Sequence, residues 1–317
     1  MISRITARLA GVATGVALDR ALGEPPTPVH PVAGFGTAMS ALEHRWWADD
    51  RRRGVAHLAV GAGSAAAIGA LLNRIIRSPF AATAVATTLA TGGRMLGDTA
   101  LTIGDALSAG DLDAARDRLP GLVGRDPTGL EASEIARAAI ESVAENTVDA
   151  VVAPLLWGAI GGAQGVFAHR AVNTLDAMVG HHSARYEQFG WASARADDVV
   201  NWVPARVAAG LVATVRPSAA RAIAYAVVHD APAHPSPNGG VIEAAYAAAL
   251  GIRLGGTNRY ADRAEHRGVL NPRGRRPEPA DIARAVALLG HITGLAAALA
   301  VGAAVVTAAG NPKNNPG

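Results

Sequence analysis

The chain has 317 residues, half of them hydrophobic and only 17% charged, against about 25% charged in ordinary soluble domains. Its formal net charge of +3 is too small for a nucleic-acid footprint, and its only lysine, Lys313, lies in a polar tail, which excludes a phosphate-loop lysine and a Schiff-base lysine in the body of the fold. With no cysteine, thiol nucleophiles, disulfides and thiolate metal sites are excluded as well.

The apolar residues come in blocks. Abundant Ala and Gly with few aromatics fit closely packed small-residue helices in lipid better than an Ala-rich soluble bundle. A span needs about 20 mostly apolar residues. The first block, 5–18, is short and carries Arg8, which can snorkel to the interface. No small-residue cleavage site follows it, so a cleaved signal is not expected. Next comes "DRALGEPPTPVHPVAGFG" at 19–36, a rigid proline-rich loop carrying Asp19, Glu24 and His30. A lone histidine in such a loop is more often structural than catalytic. Arg45 and Arg51 to Arg53 end this polar segment and predict that it is cytoplasmic. Blocks 55–72 and 79–96 qualify as spans.

Segment 97–147 is polar and holds two predicted helices. The first carries Leu107, Leu112, Leu119 and Leu122; a break follows at "GRDPTG", and the second starts near Leu130. The second ends in "ESVAENTVD" at 141–149, where Glu141, Glu145 and Asp149 recur every four residues and so share a helix face. Acids entering an apolar block are costly unless paired or cation-bound. Two readings stand: Mg²⁺ coordination helped by Asn146, or a solvated face paired with Arg137. Block 148–168 contains Pro154 and several glycines, which make it a poor simple span.

"HRAVNTLD" at 169–176 places Arg170, Asn173 and Asp176 on one face, suited to phosphate and metal or amine, or to an internal salt bridge. "ARADDVVNWVPAR" at 194–206 puts Asp197 and Asn201 on one face beside Asp198 and Arg206, either as a second metal site or as helix-capping acids. Block 199–215 is interrupted by Asn201, Pro204 and Arg206. "HPSPNGGVIEAA" at 234–245 offers Ser236, Asn238, Gly239 and Gly240 as an anion nest at a helix start, with Glu243 one turn in; the alternative is an ordinary capped turn. That helix is expected to end near Gly251, and 268–279 to be a loop. The last block, 282–309, is the clearest span.

In this order the motifs resemble the CbiB/CobD family of cobalamin biosynthesis. The matching runs are "GEPPTPVHPV" at 23–32, "VGRDPTGL" at 123–130, "ESVAENTVDAVVAPLLWGAIGG" at 141–162, "HRAVNTLDAMVG" at 169–180, "RYEQFGWASARADDVVNWVPAR" at 185–206 and "SPNGG…EAA…ALGIRLGG" at 236–256. Two departures are His181 and His182 after "MVG", where an aromatic and a basic residue are usual, and Gly-Glu-Pro in place of Gly-Asp-Pro.

The resemblance implies an adenosylcobinamide-phosphate synthase. Such an enzyme joins adenosylcobyric acid to (R)-1-aminopropan-2-ol or its O-phosphate by an amide bond, with ATP as co-substrate and Mg²⁺ as cofactor. The expected fold is all-α and polytopic, with about four or more transmembrane helices. It is a single membrane-embedded domain, 1–317, whose region 97–281 is catalytic and faces the cytoplasm from the cell inner or plasma membrane. Expected catalytic residues are Glu141, Glu145, Asp176 and Asp198. Expected substrate-binding residues are Arg125, Arg170, Asn173, Arg206, Ser236, Asn238, Gly239, Gly240 and Glu243. Expected metal ligands are Glu141, Glu145, Asn146, Asp149 and Asp197. Expected partners are the two substrates and membrane lipid, with a homo-oligomer or other cobalamin-pathway membrane enzymes as further candidates. The favoured span scheme uses 5–22, 55–72, 79–96 and 282–309, with 148–168 not crossing. A rival reading is a transporter of a small metabolite or corrinoid, disfavoured because the acids lie at block borders and in long loops. The pattern of an alcohol-phosphatidyl transferase is absent.

Overall fold

The computed structural model describes residues 3–24, 30–124, 126–181, 183–259 and 264–310. The helices in chain order are α1 (Arg4–Leu22), α2 (Pro31–Trp46), α3 (Arg51–Ile76), α4 (Pro79–Ala90), α5 (Gly93–Ser108), α6 (Leu112–Arg118) and α7 (Ala132–Thr147). A π-helical turn, Val148–Val152, leads into α8 (Ala153–Gly161), followed by α9 (Ala163–Val179), α10 (Trp191–Val200), α11 (Trp202–Val215), α12 (Ala220–His229) and α13 (Gly239–Leu250). One antiparallel hairpin, β1 (Leu254–Arg259) with β2 (Ala264–Leu270), precedes α14 (Pro279–Ala309). The all-α expectation holds with this hairpin as its exception. The break before α7 and the helix end at Gly251, in the left-handed conformation (φ +69°), fall where the sequence places them.

The chain forms two compact units, each built from separated segments. The first comprises residues 1–92, 149–201 and 296–317. Its helices approach through small residues. A Cβ on Gly11 would lie 2.6 Å from the Phe80 carbonyl oxygen, and one on Gly15 would lie 2.5 Å from Thr87 Cβ, so α1 and α4 touch backbone to backbone. In α3, Gly69 lies against the backbone of Gln164, and Gly61 makes room for the Leu175 side chain of α9. Ala82, Ala86, Ala90, Ala163 and Val166 form the buried centre, flanked by Leu72, Ile76 and Phe167. Pro31 starts α2, where its missing N–H costs nothing, and His30 Nδ1 accepts the Val32 N–H at 3.2 Å. His30 is thus an N-cap, and its Nε2 lies 3.0 Å from Glu24.

The second unit comprises residues 93–148 and 202–295. Helix α13 is buried almost throughout and α7 along most of its length. Tyr246 and Thr147 join them by a 2.7 Å hydrogen bond in the core. Asp281, fully buried at the start of α14, receives two bonds from Arg275 (2.6 and 2.7 Å) and one from Arg284 (2.6 Å). These charge-assisted pairs fix the loop that the sequence places at 268–279.

Among the described residues, three helices are long and apolar enough to cross a membrane: Arg51–Ile76, Ala132–Gly161 and Pro279–Ala309. A fourth is added if Trp202–Val215 and Pro217–Ala233, bent by 109°, count as one span. The protein is a helical, multi-pass membrane protein. Two expected spans, 55–72 and 282–309, lie within these helices. The scheme needs correction elsewhere. The stretch 79–96 breaks after Ala90, and a 12-residue α4 reaches only about 18 Å against a hydrocarbon core of about 30 Å. Helix α1 is not among the long apolar helices. The block 148–168 is not separate: its first part continues α7 through the π turn into one 30-residue helix. Of the apolar 18-residue stretch within that helix 61% is buried in protein, against 22% for that of Arg51–Ile76 and 17% for that of Pro279–Ala309. The latter two expose apolar side chains such as Ile68, Leu71, Ile75, Val305 and Val306, as lipid-facing helices do.

Candidate functional site

Unit two gathers ionisable side chains from three separated sequence runs. Glu141 and Glu145 come from successive turns of α7, His234 from the loop before α13, Glu243 from α13 and Arg267 from β2. Glu145, His234 and Glu243 each point one ligand atom at a common space, and these atoms lie within 4.8 Å of one another. They are the sole such group among the described residues. His234 Nε2 is 3.2 Å from Glu243 Oε1 and 3.2 Å from Arg267 Nη1, which also lies 4.0 Å from Glu145 Oε1. The His234 and Glu243 side chains are 1% and 0% exposed, while Glu145 is 40% exposed. Burial, then the neighbouring Arg267 charge, holds the His234 pKa below its ordinary value, so the ring is neutral at neutral pH.

The two glycines at 239 and 240 explain how these groups meet. A Cβ at Gly239 would lie 3.1 Å from the His234 ring and 3.2 Å from Glu145 Oε1; one at Gly240 would lie 2.7 Å from His234 Cβ. The pair clears space for the histidine. It does not form the expected anion nest. The amides of Asn238 and Gly239 donate to Ser236 Oγ (3.3 and 3.0 Å), and that of Gly240 donates to the Ser236 carbonyl (3.2 Å). Ser236 therefore takes these three amides, and the Asn238 carbonyl takes those of Val241 and Ile242. Arg206 braces the same loop, donating to Asn238 Oδ1 (2.9 Å) and the Pro237 carbonyl (3.1 Å) while stacking on Trp202.

Glu141, 1% exposed, accepts the Gly255 N–H at 2.8 Å and lies 3.5 Å from Arg137. Arg137 in turn donates to the carbonyls of Gly255 (2.6 Å) and Thr257 (2.9 Å). Together they clamp the hairpin. Asn146 donates to the Ser142 carbonyl one turn back. The acid stripe of the sequence is thus divided: Glu145 faces His234 and Glu243, Glu141 holds backbone, and Asp149 lies in the π turn and in unit one.

Unit one holds a second polar network. Arg170 Nη1 donates to Asn173 Oδ1 (3.3 Å), and Asn173 Nδ2 donates to Asp197 Oδ1 (3.4 Å). Asn201 Nδ2 donates to the same oxygen (3.0 Å), and Asn201 Oδ1 accepts from His169 Nε2 (2.8 Å). Arg170 also faces the charges of Asp149 and Glu24. Asp176 lies over Gly180 at the end of α9. Asp198 points to Arg195 at 3.8 Å, and burial raises its pKa. Neither Asp197 nor Asp198 caps a helix N-terminus, because both lie in the last turn of α10. Arg125 lies outside the described residues.

A family model described as CobD/Cbib protein matches residues 12–289. The chain belongs to the CobD/CbiB family. It is 47% identical over 299 residues to the cobalamin biosynthesis protein CobD of Mycobacterium tuberculosis, covering 93% of this chain and 95% of the relative. Identity to the protein of the same name from Rhodobacter capsulatus is 40% over 293 residues, covering 86% and 90%, and to that from Geobacter metallireducens 44% over 260 residues, covering 78% and 82%. No solved structure matches. This CobD/CbiB member therefore carries the motif acids in both units. His234 and Arg267 have no assigned role in the sequence reading. The histidine stands at the head of the Pro-Asn-Gly-Gly run, and its place beside that run was the available signal. Arg267, in "AEHRGVL", offered none.

Proposed function

We propose that the chain is an ATP-dependent amide ligase of cobalamin biosynthesis, joining the carboxylate of adenosylcobyric acid to the amine of (R)-1-aminopropan-2-ol or its O-phosphate. One observation carries the reading. Glu145, His234, Glu243 and Arg267, drawn from distant runs of a CobD/CbiB chain, converge in one largely buried place. Desolvating several charges costs several kcal/mol per ion, so a protein keeps such a cluster where chemistry uses it.

A carboxylate does not acylate an amine at neutral pH until its oxygen becomes a leaving group. Attack of the carboxylate on the γ-phosphorus of ATP forms an acyl phosphate and releases ADP. The amine then attacks the acyl carbon, phosphate leaves with the former carboxylate oxygen, and the amine loses a proton. Such transfer depends on charge neutralisation and alignment. Mg²⁺ would accompany ATP, and Glu145 or Glu243 would take the amine proton. Arg170 in unit one and Arg267 in unit two are the candidate partners for phosphoryl oxygens. The site would face the cytoplasm, where ATP is available.

The test is to supply membranes containing the protein with adenosylcobyric acid, ATP, Mg²⁺ and each amine in turn, following ADP and the mass of the corrinoid product. A new amide, with one ADP per bond, is expected with at least one amine. No amide with either would sink the reading.

A further inference from the structure

The geometry points to a built transition-metal site in unit two. We propose that Glu145, His234 and Glu243 bind one first-row divalent ion of the Zn²⁺ or Mn²⁺ class, separate from the Mg²⁺ that travels with ATP. The inference does not rest on the ligase reading, because it concerns three donors and a cation.

Four observations support it. The first is the donor set: two carboxylates and an imidazole with atoms inside 4.8 Å. Mg²⁺ prefers an all-oxygen octahedron and keeps its waters, whereas imidazole suits the transition ions. The second is the setting of the histidine. Ser236 lies against His234 Nδ1, its amide nitrogen at 3.1 Å and its carbonyl oxygen at 3.2 Å, and this holds the ring with Nε2 toward the cluster. Arg267 Nη1 stands 3.2 Å from Nε2, so an ion that takes this nitrogen displaces the arginine contact.

The third is burial. The Glu243 side chain is 0% exposed and its Oε1 lies 3.2 Å from His234 Nε2. A buried carboxylate is costly without neighbouring positive charge, and a cation between the two carboxylates meets that cost. A proton shared by the two carboxyls is the rival solution. The fourth is shape. Three protein ligands with one of them, Glu145, 40% exposed leave a coordination position open on that side. This is the arrangement of a catalytic metal site, where the open position takes water or a substrate oxygen. Gly239 keeps this space clear, since its Cβ would stand 3.2 Å from Glu145 Oε1.

The experiment uses the full-length protein purified in detergent. It is stripped with a chelator and titrated with Zn²⁺, Mn²⁺ and Mg²⁺ by calorimetry, and metal per chain is measured by elemental mass spectrometry after dialysis. The expected result is about one Zn²⁺ or Mn²⁺ per chain, with Mg²⁺ binding weaker by ~10-fold or more. His234→Asn and Glu243→Gln should each weaken binding by ~10-fold or more, and Glu141→Gln, whose oxygen serves Gly255, should not. Should either buried variant fail to fold, Glu145→Gln, at the exposed ligand, decides the matter by the same loss. Binding retained in Glu145→Gln and in every folded ligand variant overturns the proposal. So does the absence of a stoichiometric ion in the wild type, which would leave the shared proton as the answer.

Discussion

Arg170 shows how a single side chain separates binding from architecture. Its Nε is buried without a hydrogen-bond partner among the described residues, and the side chain lines an apolar cavity of about 90 Å³ with Phe35, Ile68, Leu89 and Phe167. An orphaned buried donor costs about 1–3 kcal/mol, which a bound anion would recover. Under the ligase reading, Arg170→Lys should raise the apparent KM for a phosphate-bearing substrate ~10-fold or more, because a point charge does not replace a planar fork. An unchanged KM for ATP and for aminopropanol phosphate would leave Arg170 a purely structural residue. Glu145 supports a sharper expectation. It is 40% exposed, so Glu145→Gln should keep its thermal midpoint and membrane location while amide formation falls by ~100-fold or more. Near-normal turnover would remove this carboxylate from the mechanism.

At the scale of elements, the contact of α1 with α4 depends on the four-residue spacing of Gly11 and Gly15. Replacing Gly11 by leucine drives a side chain into the Phe80 carbonyl. It should cost at least about 1–3 kcal/mol, seen as a lower thermal midpoint in detergent. An unaltered midpoint would mean that the two helices do not meet in this way. The elements also show where sequence periodicity stops working. The stripe Glu141, Glu145, Asp149 assumes 3.6 residues per turn throughout, but the π turn at Val148–Val152 changes the phase just where the third acid falls. The hairpin escaped for another reason: "LGGTNR" and "AEHRGVL" contain few β-branched residues, and the register shifts between Gly255 and Gly256. By contrast, Gly251 and the terminal apolar block were plain, because an αL helix end and a long uncharged run each have one local cause.

For the whole molecule, the path of the chain through the membrane decides which compartment each motif meets. The helix Ala132–Gly161 is long enough to span, yet its deep burial in protein suits a helix sheltered from lipid. A chain without cysteine permits a direct test by single-cysteine labelling of intact cells with an impermeant reagent. If the helix does not cross, cysteines at Ser133 and Ser183 should behave alike, both reacting or both escaping. Labelling at Ser183 alone would show that the helix crosses. The sequence made the membrane class legible through composition and blocks. It did not make the pairing of blocks legible, since α7 and α8 join through a turn that no residue announces, and Ala90 ends α4 without a proline or charge.

The hydrogen bond between Thr6 and Thr307, 2.9 Å long across 301 positions of sequence, ties the first helix to the last. Both units are also assembled from segments that interrupt each other along the chain, and α14 supplies residues to each. For the cell this sets an order of assembly, because unit one is incomplete until the segment from residue 296 on has been made. The Thr307 partner of Thr6 is absent until nearly the whole message has been read. A ribosome that stops before codon 296 releases a product with unit one incomplete, which membrane proteases should clear. Pulse-chase labelling of chains ending at Leu295 should therefore show a much shorter half-life than that of the full-length protein. Equal half-lives would mean that the early helices reach a stable arrangement alone.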